Sequence, residues 1–265
     1  MLLAIDAGNT NTVFALFEGE RLVKQWRIAT EETRTGDEYM VWLSQLLVLG
    51  NWDMQSIDAC IISSVVPQVA FNLRRLGREG LKLAPLVIGD EDVDIGIEVR
   101  LSPESGVGAD RLANAVGAHL KHNQALIVID FGTATTFDVV AADGAYEGGL
   151  ITPGVHLSTK ALHEAAAQLP YIEISKPEHV IGKNTIEAMT SGLFWGYVSL
   201  IDGLVARIKE EYGQPMCVIA TGGLSGVFAP HTDVIEYVSE DLTLHGLVEI
   251  YRRNMRPPHQ DAQKN

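Results

Sequence analysis

The stretch Leu2-Leu-Ala-Ile-Asp6-Ala-Gly-Asn-Thr-Asn-Thr12-Val13-Phe-Ala-Leu-Phe17 decides the fold. Two short apolar runs flank an acidic residue and a turn of small polar residues, a pattern typical of a β-hairpin. The same pattern returns at Ala125-Leu-Ile-Val-Ile-Asp130-Phe-Gly-Thr-Ala-Thr-Thr136, before the apolar run Phe137–Ala141. Because Asp130 lies 124 residues after Asp6, the repetition predicts a duplicated domain.

The rest of the chain alternates strand-like and helical patterns. Apolar runs predict strands at 59–66, 86–88 and 216–220, and residues 22–28 are a further strand candidate. A helical apolar period, with capping and breaking residues, predicts helices at 37–49, 67–77, 110–120, 154–167, 184–211 and 241–253. We expect one domain over 1–118, a second over 119–255, and a tail at 256–265, which begins Arg-Pro-Pro-His.

Charge and composition exclude several classes of function. The 265 residues include 20 Lys plus Arg and 34 Asp plus Glu, a net charge of −14, which argues against nucleic-acid binding and against docking on an anionic membrane. A local site can still accept an anionic substrate. Cys60 and Cys217 lie in apolar runs and are expected to be buried thiols. With no signal-like start and no apolar run of about 18 residues, we expect a cytoplasmic protein.

The turn from Asp6 to Val13 has the chemistry of a phosphate site. Small residues let backbone N–H groups approach a phosphate, and Thr10, Asn11 and Thr12 add donors. The Asp6 carboxylate can hold Mg²⁺ through water, because Mg²⁺ dehydrates reluctantly. A single such turn can also be a plain polar hairpin loop. Two of them, one at the start of each half, predict a clamp around a polyphosphate.

Two further segments combine glycine with functional side chains. In Gly108-Ala-Asp110-Arg111, Asp110 either caps a helix or acts as a base or orienter for a substrate hydroxyl. Arg111 either forms a surface salt bridge or binds a carboxylate with its planar donors. Ala220-Thr-Gly-Gly-Leu-Ser-Gly226 is either a tight turn or a surface for a flat ring or a ribose. No Gly-x4-Gly-Lys-Ser/Thr motif occurs, and the eight histidines show no metal-binding spacing.

Taken in order, these motifs resemble the type III pantothenate kinase family. Further segments fit as well: Thr35-Gly-Asp-Glu-Tyr39, Gly148-Gly-Leu-Ile-Thr-Pro-Gly154, Gly182-Lys-Asn-Thr185 and Leu242-Thr-Leu-His-Gly246-Leu. The resemblance covers roughly residues 1–250. It implies an α/β fold of two ribonuclease-H-like domains from the acetate and sugar kinase, heat-shock protein 70 and actin superfamily, with the active site in the interdomain cleft.

The resemblance also implies a reaction and a set of residues. The family uses ATP to phosphorylate pantothenate to 4′-phosphopantothenate, the first step of coenzyme A synthesis, and its members are homodimers. The implied proton acceptor is Asp110, and the implied ligand of K⁺ or NH₄⁺ is Asp130. Mg²⁺ would be held by Asp6 through water. The implied ATP-binding residues are Asp6, Ala7, Gly8, Asn9, Thr10, Asn11, Thr12, Val13 and Thr133. The implied pantothenate-binding residues are Gly108, Ala109, Asp110, Arg111 and Thr185, with Arg111 at the carboxylate and Thr185 near the partner subunit.

One stretch departs from the family pattern. Members often carry an aromatic residue shortly before Gly-Ala-Asp-Arg, whereas this chain reads Val99-Arg100-Leu101-Ser-Pro-Glu-Ser-Gly106. The alternatives are a regulatory accessory factor on the same fold, an actin-like filament former and a kinase of a different alcohol. The presence of Asp6, Asp110, Arg111 and Asp130 favours an enzyme over the accessory factor, and the short chain disfavours a filament.

Overall fold

The computed structural model describes residues 1–102, 105–165 and 169–255, which form two compact units. Unit 1 contains Met1–Ile97, Ser102–Leu120 and the described residues from Leu242 onward. Unit 2 contains Glu98–Leu101 and Lys121–Asp241. Each unit is built around one five-stranded sheet with parallel and antiparallel pairs.

The sheet of unit 1 has the strand order β3-β2-β1-β4-β5. Its strands are β1 (Leu2–Ala7), β2 (Asn11–Glu18), β3 (Arg21–Ala29), β4 (Ala59–Ser64) and β5 (Leu86–Val87). The helices are α1 (Gly36–Leu49), α2 (Pro67–Arg75), α3 (Ala109–His122, whose last two residues fall in unit 2) and α7 (Leu242–Met255). Alternation along β1 sends Leu3 and Ile5 into the core with α1 and α2, and Leu2 and Ala4 into the core with α3 and α7.

The sheet of unit 2 has the order β10-β9-β6-β7-β8. Its strands are β6 (Leu126–Phe131), β7 (Ala134–Val140), β8 (Tyr146–Pro153), β9 (Cys217–Gly222) and β10 (Tyr237–Val238). The helices are α4 (Val155–Ala165), α5 (Thr185–Tyr212) and α6 (Ser225–Phe228). α5 is long and apolar enough to cross a membrane, but it buries Phe194, Ile201 and Val205 in the core of this unit. Its composition therefore reflects packing against the sheet.

The predicted duplication is visible in the details of the two sheets. β1 and β6 have the same sequence of buried and half-buried residues, and so do β4 and β9. In each unit the first strand pairs antiparallel with the next strand and parallel with a later one. The pairing places Asp6 beside Ser63 and Asp130 beside Thr221. Each strand-end aspartate thus has a hydroxyl residue as its parallel neighbour.

The two compact units differ from the predicted domain ranges at one helix. The expected division near residue 118 is close to the observed change at Leu120, but α7 belongs to unit 1 and not to the second domain. Backbone contact explains this: β-carbons on Gly117 and Gly246 would overlap the carbonyls of Leu242 and Ala113. Thr243 also donates a hydrogen bond to Asn114 Oδ1, at 2.7 Å. The predicted tail at 256–265 and the predicted helical residues 166–167 lie outside the described residues.

Candidate active site

The turn between β1 and β2 presents polar groups from a fixed backbone. Gly8 N–H donates to Asn11 O at 3.0 Å, and the residues at its tip, Asn9 to Asn11, are exposed. Thr30, just after β3, holds the turn through its hydroxyl, which donates to Gly8 O at 2.8 Å, and through its N–H, which donates to Thr10 O at 2.9 Å. Thr12 is fully buried with Oγ1 2.9 Å from the Thr30 hydroxyl. Its hydroxyl therefore fastens the turn from within.

Residues Gly108 to Asp110 lie beside the ends of β1 and β4. A β-carbon on Gly108 would be 2.6 Å from Asp110 Oδ1 and 3.4 Å from the Val65 side chain. Val65 follows β4 directly, and its N–H donates to Ala7 O at 3.2 Å. Two sequence-predicted segments, the turn after Asp6 and the start of α3, are thereby brought to one edge of the sheet of unit 1.

The Asp110 carboxylate is fixed by a hydrogen bond and partly shielded from solvent. Its Oδ1 accepts a hydrogen bond from the backbone N–H of Arg111 at 2.8 Å. Burial raises the pKa of Asp110 above its ordinary value, and the Arg111 N–H and charge oppose that shift. A half-buried carboxylate with a raised pKa is a stronger base than an exposed one. Arg111, next on α3, is also half-buried.

In unit 2 the Asp130 carboxylate rests on a glycine of the neighbouring strand. Gly222 at the end of β9 has φ +85°, and a β-carbon there would be 2.5 Å from Asp130 Oδ1. The glycine motif of residues 220–226 therefore makes room for a carboxylate of its own sheet. Thr135, on β7, is buried, and its hydroxyl has no hydrogen-bond partner among the residues described here. In the pairing of β6 with β7, Thr135 is opposite Phe131 and Thr136 is opposite Asp130, so the Thr135 side chain lies on the other face of the sheet from Asp130. The oxygen atoms of the Asp130 carboxylate suit a hard cation.

The turn that carries Thr133 is supported by the end of β8. Thr133 itself is exposed, and its carbonyl accepts a hydrogen bond from Gly154 N–H at 3.2 Å. A β-carbon on Gly154 would overlap this carbonyl. Tyr197 on α5 donates to Pro153 O at 2.7 Å, and its hydroxyl lies 2.6 Å from Ser158 Oγ. The segment Gly148–Gly154 therefore positions the Thr133 turn.

Thr185 lies on unit 2, at the exposed first turn of α5. Asn184 caps this helix, with its Oδ1 accepting from Glu187 N–H at 2.9 Å. A cavity of about 480 Å³ adjoins Thr185 and is lined mainly by apolar side chains, including Leu162, Leu169, Met189 and Leu193. This cavity contains no other sequence-predicted site residue.

Other motif segments have structural explanations. Thr35 and Glu38 form the capping box of α1, with the Glu38 carboxylate accepting from Thr35 N–H at 2.8 Å. That hydrogen bond lowers the pKa of Glu38. The glycine of the segment Leu242–Leu247 permits the contact of α7 with α3.

The stretch that lacks the family's aromatic residue is fastened to unit 2 by Arg100. Its guanidinium binds Glu147 at 2.7 Å, Glu98 at 2.9 Å and Asp143 at 2.5 Å. These carboxylates raise the pKa of Arg100, with Glu147 contributing most. Pro103 and Glu104 of the same stretch lie outside the described residues.

Sequence reasoning missed three supporting residues, Thr30, Ser63 and Tyr197, and it gave no role to Gly154 of the motif Gly148–Gly154. Ser63 could have been noticed as a polar residue ending a buried apolar run, in the position that Thr221 occupies after the second run. The others act through contacts between distant segments. No group of three or more His, Cys, Asp or Glu side chains gathers in the part of the chain that the structure describes. A metal ion bound through one carboxylate, water and phosphate needs no such group.

Comparison with known proteins points to one family. The family model of type III pantothenate kinases matches residues 2–207. The type III pantothenate kinase of Caulobacter vibrioides is 59% identical over 256 residues, which cover 96% of this chain and 98% of that protein. The type III pantothenate kinase of Phenylobacterium zucineum is 56% identical over 254 residues, with coverage of 96% and 98%.

Solved structures share the fold at low sequence identity. A Campylobacter jejuni protein described as a Baf family transcriptional activator superposes with a TM-score of 0.60 and 19% identity, covering 95% of this chain and 98% of that one. A ROK family glucokinase from Streptomyces griseus gives a TM-score of 0.52 and 13% identity, with coverage of 95% and 99%. These similarities concern the fold alone. With the two sheets described above, they confirm the predicted pair of ribonuclease-H-like domains.

Proposed function

The chain belongs to the type III pantothenate kinase family, and we propose that Asp110 is the proton acceptor of its reaction. The enzyme transfers the terminal phosphoryl group of ATP to pantothenate and gives 4′-phosphopantothenate, the first step of coenzyme A synthesis. The regulatory alternative finds no support, because the likeness to the Baf family structure concerns only the fold. The observation that carries the proposal is the position of Asp110. Its desolvated carboxylate lies at the edge of the sheet where the Asp6 turn also ends.

We assign the phosphate groups of ATP to the two hairpin turns. The exposed residues Asn9, Thr10 and Asn11 offer side-chain and backbone donors, and Thr133 offers the same from unit 2. Because Thr30 and Gly154 hold these turns, their donors need little reorganisation when phosphate binds. Phosphoryl transfer depends mainly on such positioning and on charge stabilisation.

Proton transfer is assigned to Asp110. The hydrogen bond from Arg111 N–H to Oδ1 fixes the carboxylate, and Oδ2 receives the proton of the pantothenate primary hydroxyl as that oxygen bonds to phosphorus. Desolvation favours this step because it raises the proton affinity of the carboxylate. Gly108 and Ala109 are assigned to contacts with the pantothenate chain. The Arg111 guanidinium is assigned to the pantothenate carboxylate.

Two kinds of cation fit the acidic residues. We assign Mg²⁺ to Asp6 through water, and K⁺ or NH₄⁺ to Asp130. When bound, these ions offset the negative charge of the phosphates. The support for the monovalent site is the Asp130 carboxylate, which packs against the backbone of Gly222. The support for the divalent site is the strand-end carboxylate of Asp6 beside a buried serine hydroxyl.

A coupled assay of ADP release tests the reaction and the acceptor together. With Mg-ATP and K⁺, we expect turnover with pantothenate and little turnover with other small hydroxy acids. If the enzyme preferred another alcohol, that alcohol would be the phosphoryl acceptor, and the proposed kinase mechanism would be unchanged. Activity that is equal in Na⁺ and in K⁺ would remove the assignment of Asp130.

We also propose a cytoplasmic homodimer in which Thr185 contacts pantothenate near the partner subunit. Support comes from large exposed apolar side chains around Thr185, including Val180, Ile181 and Ile186, which are 66%, 73% and 56% exposed. Light scattering after size exclusion should give twice 28.8 kDa. Ile181→Glu should then give a monomer with a raised KM for pantothenate, whereas a monomeric wild type would refute the dimer.

A further inference from the structure

The hydroxyl of Ser63 is an unusual buried group. Ser63 lies on β4 with 0% exposure, and its Oγ has no hydrogen-bond partner among the described residues. Buried polar side chains nearly always have a partner, so such a group needs an explanation. The neighbouring Ser64 shows the ordinary case, because its Oγ bonds to both the N–H and the carbonyl of Val66.

The position of Ser63 suggests what its partner is. In the parallel pairing of β1 and β4, Ser63 is the register partner of Asp6, so their side chains lie on the same face of the sheet. Adjacent strands are about 4.8 Å apart. The Ser63 hydroxyl is therefore within reach of a water molecule held by the Asp6 carboxylate. Both residues lie where the start of α3 approaches the ends of β1 and β4.

The second unit repeats the arrangement. Thr221 is 1% exposed, lies on the parallel neighbour of β6, and is the register partner of Asp130. Ser63 and Thr221 occupy the same, fifth position of strands with matching burial. Each unit thus places a buried hydroxyl residue beside an aspartate assigned to a cation.

We propose that the Ser63 hydroxyl is a binding group for the hydrated Mg²⁺ of Mg-ATP. Its oxygen accepts one hydrogen bond from a water molecule in the coordination shell of the ion, next to Asp6. Mg²⁺ keeps several of its waters in protein sites, so a hydroxyl can bind the ion without direct ligation. The inference rests on the proposed role of Asp6.

Calorimetric titration of the full-length protein with the ATP analogue AMPPNP, in MgCl₂ or in EDTA, tests the proposal. Ser63→Ala should weaken binding about 5- to 10-fold in Mg²⁺ and leave binding in EDTA unchanged, as expected for one hydrogen bond near a charge. The melting temperature of the ligand-free variant should not fall, because the removed hydroxyl has no partner there. Cys60→Ala is the matched control, since it removes one heavy atom from a buried position of the same strand on the opposite face.

The remaining outcomes overturn the inference. If Ser63→Ala weakens binding equally in Mg²⁺ and EDTA, or lowers the melting temperature more than Cys60→Ala does, Ser63 is a structural residue. If Asp6→Asn abolishes the Mg²⁺ effect and Ser63→Ala does not change it, the inference is wrong and the role of Asp6 stands. If the wild type binds AMPPNP equally in both buffers, the inference and the assignment of Mg²⁺ to Asp6 are both wrong.

Discussion

The backbone of Gly222 packs directly against the carboxylate of Asp130, because a β-carbon at position 222 would lie 2.5 Å from Asp130 Oδ1. It would also lie 2.7 Å from the backbone nitrogen and oxygen of Phe131. The φ of +85° at Gly222 adds a second reason for glycine, since other residues rarely adopt it. The strand end of β9 therefore fixes where the Asp130 carboxylate can be.

Gly222→Ala should displace that carboxylate and weaken the response to monovalent cations. We expect the K⁺ concentration for half-maximal activity to rise at least about 10-fold, with a stability loss of about 1–3 kcal/mol from strain. Activity measured over a series of KCl concentrations, with thermal unfolding, gives both values. Gly223→Ala is the matched control, because a β-carbon there meets no atom within 4 Å. An unchanged K⁺ response in Gly222→Ala would contradict the assignment of the monovalent cation to Asp130.

Gly154→Ala should disturb the Thr133 turn, which is assigned to the phosphates of ATP, although Gly154 itself is not part of that turn. The added methyl overlaps the Thr133 carbonyl and breaks the 3.2 Å hydrogen bond that Gly154 N–H donates to it. Misplacing a turn that binds phosphate raises the KM for ATP, and we expect a rise of about 10-fold or more. Initial rates at varied ATP and saturating pantothenate measure this effect. Gly196→Ala on α5, where a β-carbon meets nothing within 4 Å, should behave like the wild type. Equal KM values in the two variants would contradict the supporting role of Gly154.

The features predicted from sequence are those set by local pattern. The run ending in Asp6 and the run ending in Asp130 each carry their strand, turn and acid within a dozen residues, so the duplicated hairpins were foreseeable. β8 was not predicted, because Gly148 and Gly149 interrupt its apolar pattern and pairing with β7 stabilises it. The roles of Gly222 and Ser63 depend on which strand becomes the parallel neighbour. Spacing along the chain does not reveal that pairing.

The placement of α7 illustrates the same limit. An amphipathic period shows that the segment is a helix with one buried face, but it does not show which domain covers that face. Here the partner is α3, more than 120 residues earlier, and the contact is made by backbone at Gly117 and Gly246. Glycine within a helix is the available sequence signal, since it costs helix stability unless close packing compensates for it.

Gly246→Ala should therefore destabilise unit 1. A β-carbon at this position overlaps the Ala113 carbonyl, and separating the two helices exposes Leu247 and Val248 of the buried core. Overpacking of this kind costs about 1–3 kcal/mol or more. Urea unfolding followed by circular dichroism measures the loss. The control is Gly192→Ala, a helical glycine whose β-carbon would meet nothing within 4 Å, and which should be neutral or stabilising. If both variants had the same unfolding midpoint, the result would contradict close backbone contact between α3 and α7 at Gly246.

Asp110→Asn should separate catalysis from stability. Loss of the proton acceptor should lower kcat by about 10²- to 10⁴-fold. The same variant should be more stable than the wild type at neutral pH, because burial raises the pKa of Asp110 and so penalises its charged form. The sign follows from linkage. An acid whose pKa is higher in the folded state destabilises the fold as pH rises above its ordinary value near 3.8, and the penalty is complete above the raised pKa.

Unfolding midpoints of Asp110→Asn and wild type, measured from pH 3 to pH 8, therefore should converge at the acidic end and diverge toward neutrality. Asp143→Asn is a useful contrast, because Arg100 lowers the pKa of that exposed carboxyl, and its removal should give the opposite sign. A variant of Asp110 that is inactive and also less stable at neutral pH would show that the carboxylate holds α3 in place. Retained activity would instead remove Asp110 from the reaction, since no other step of the proposed mechanism compensates for its loss.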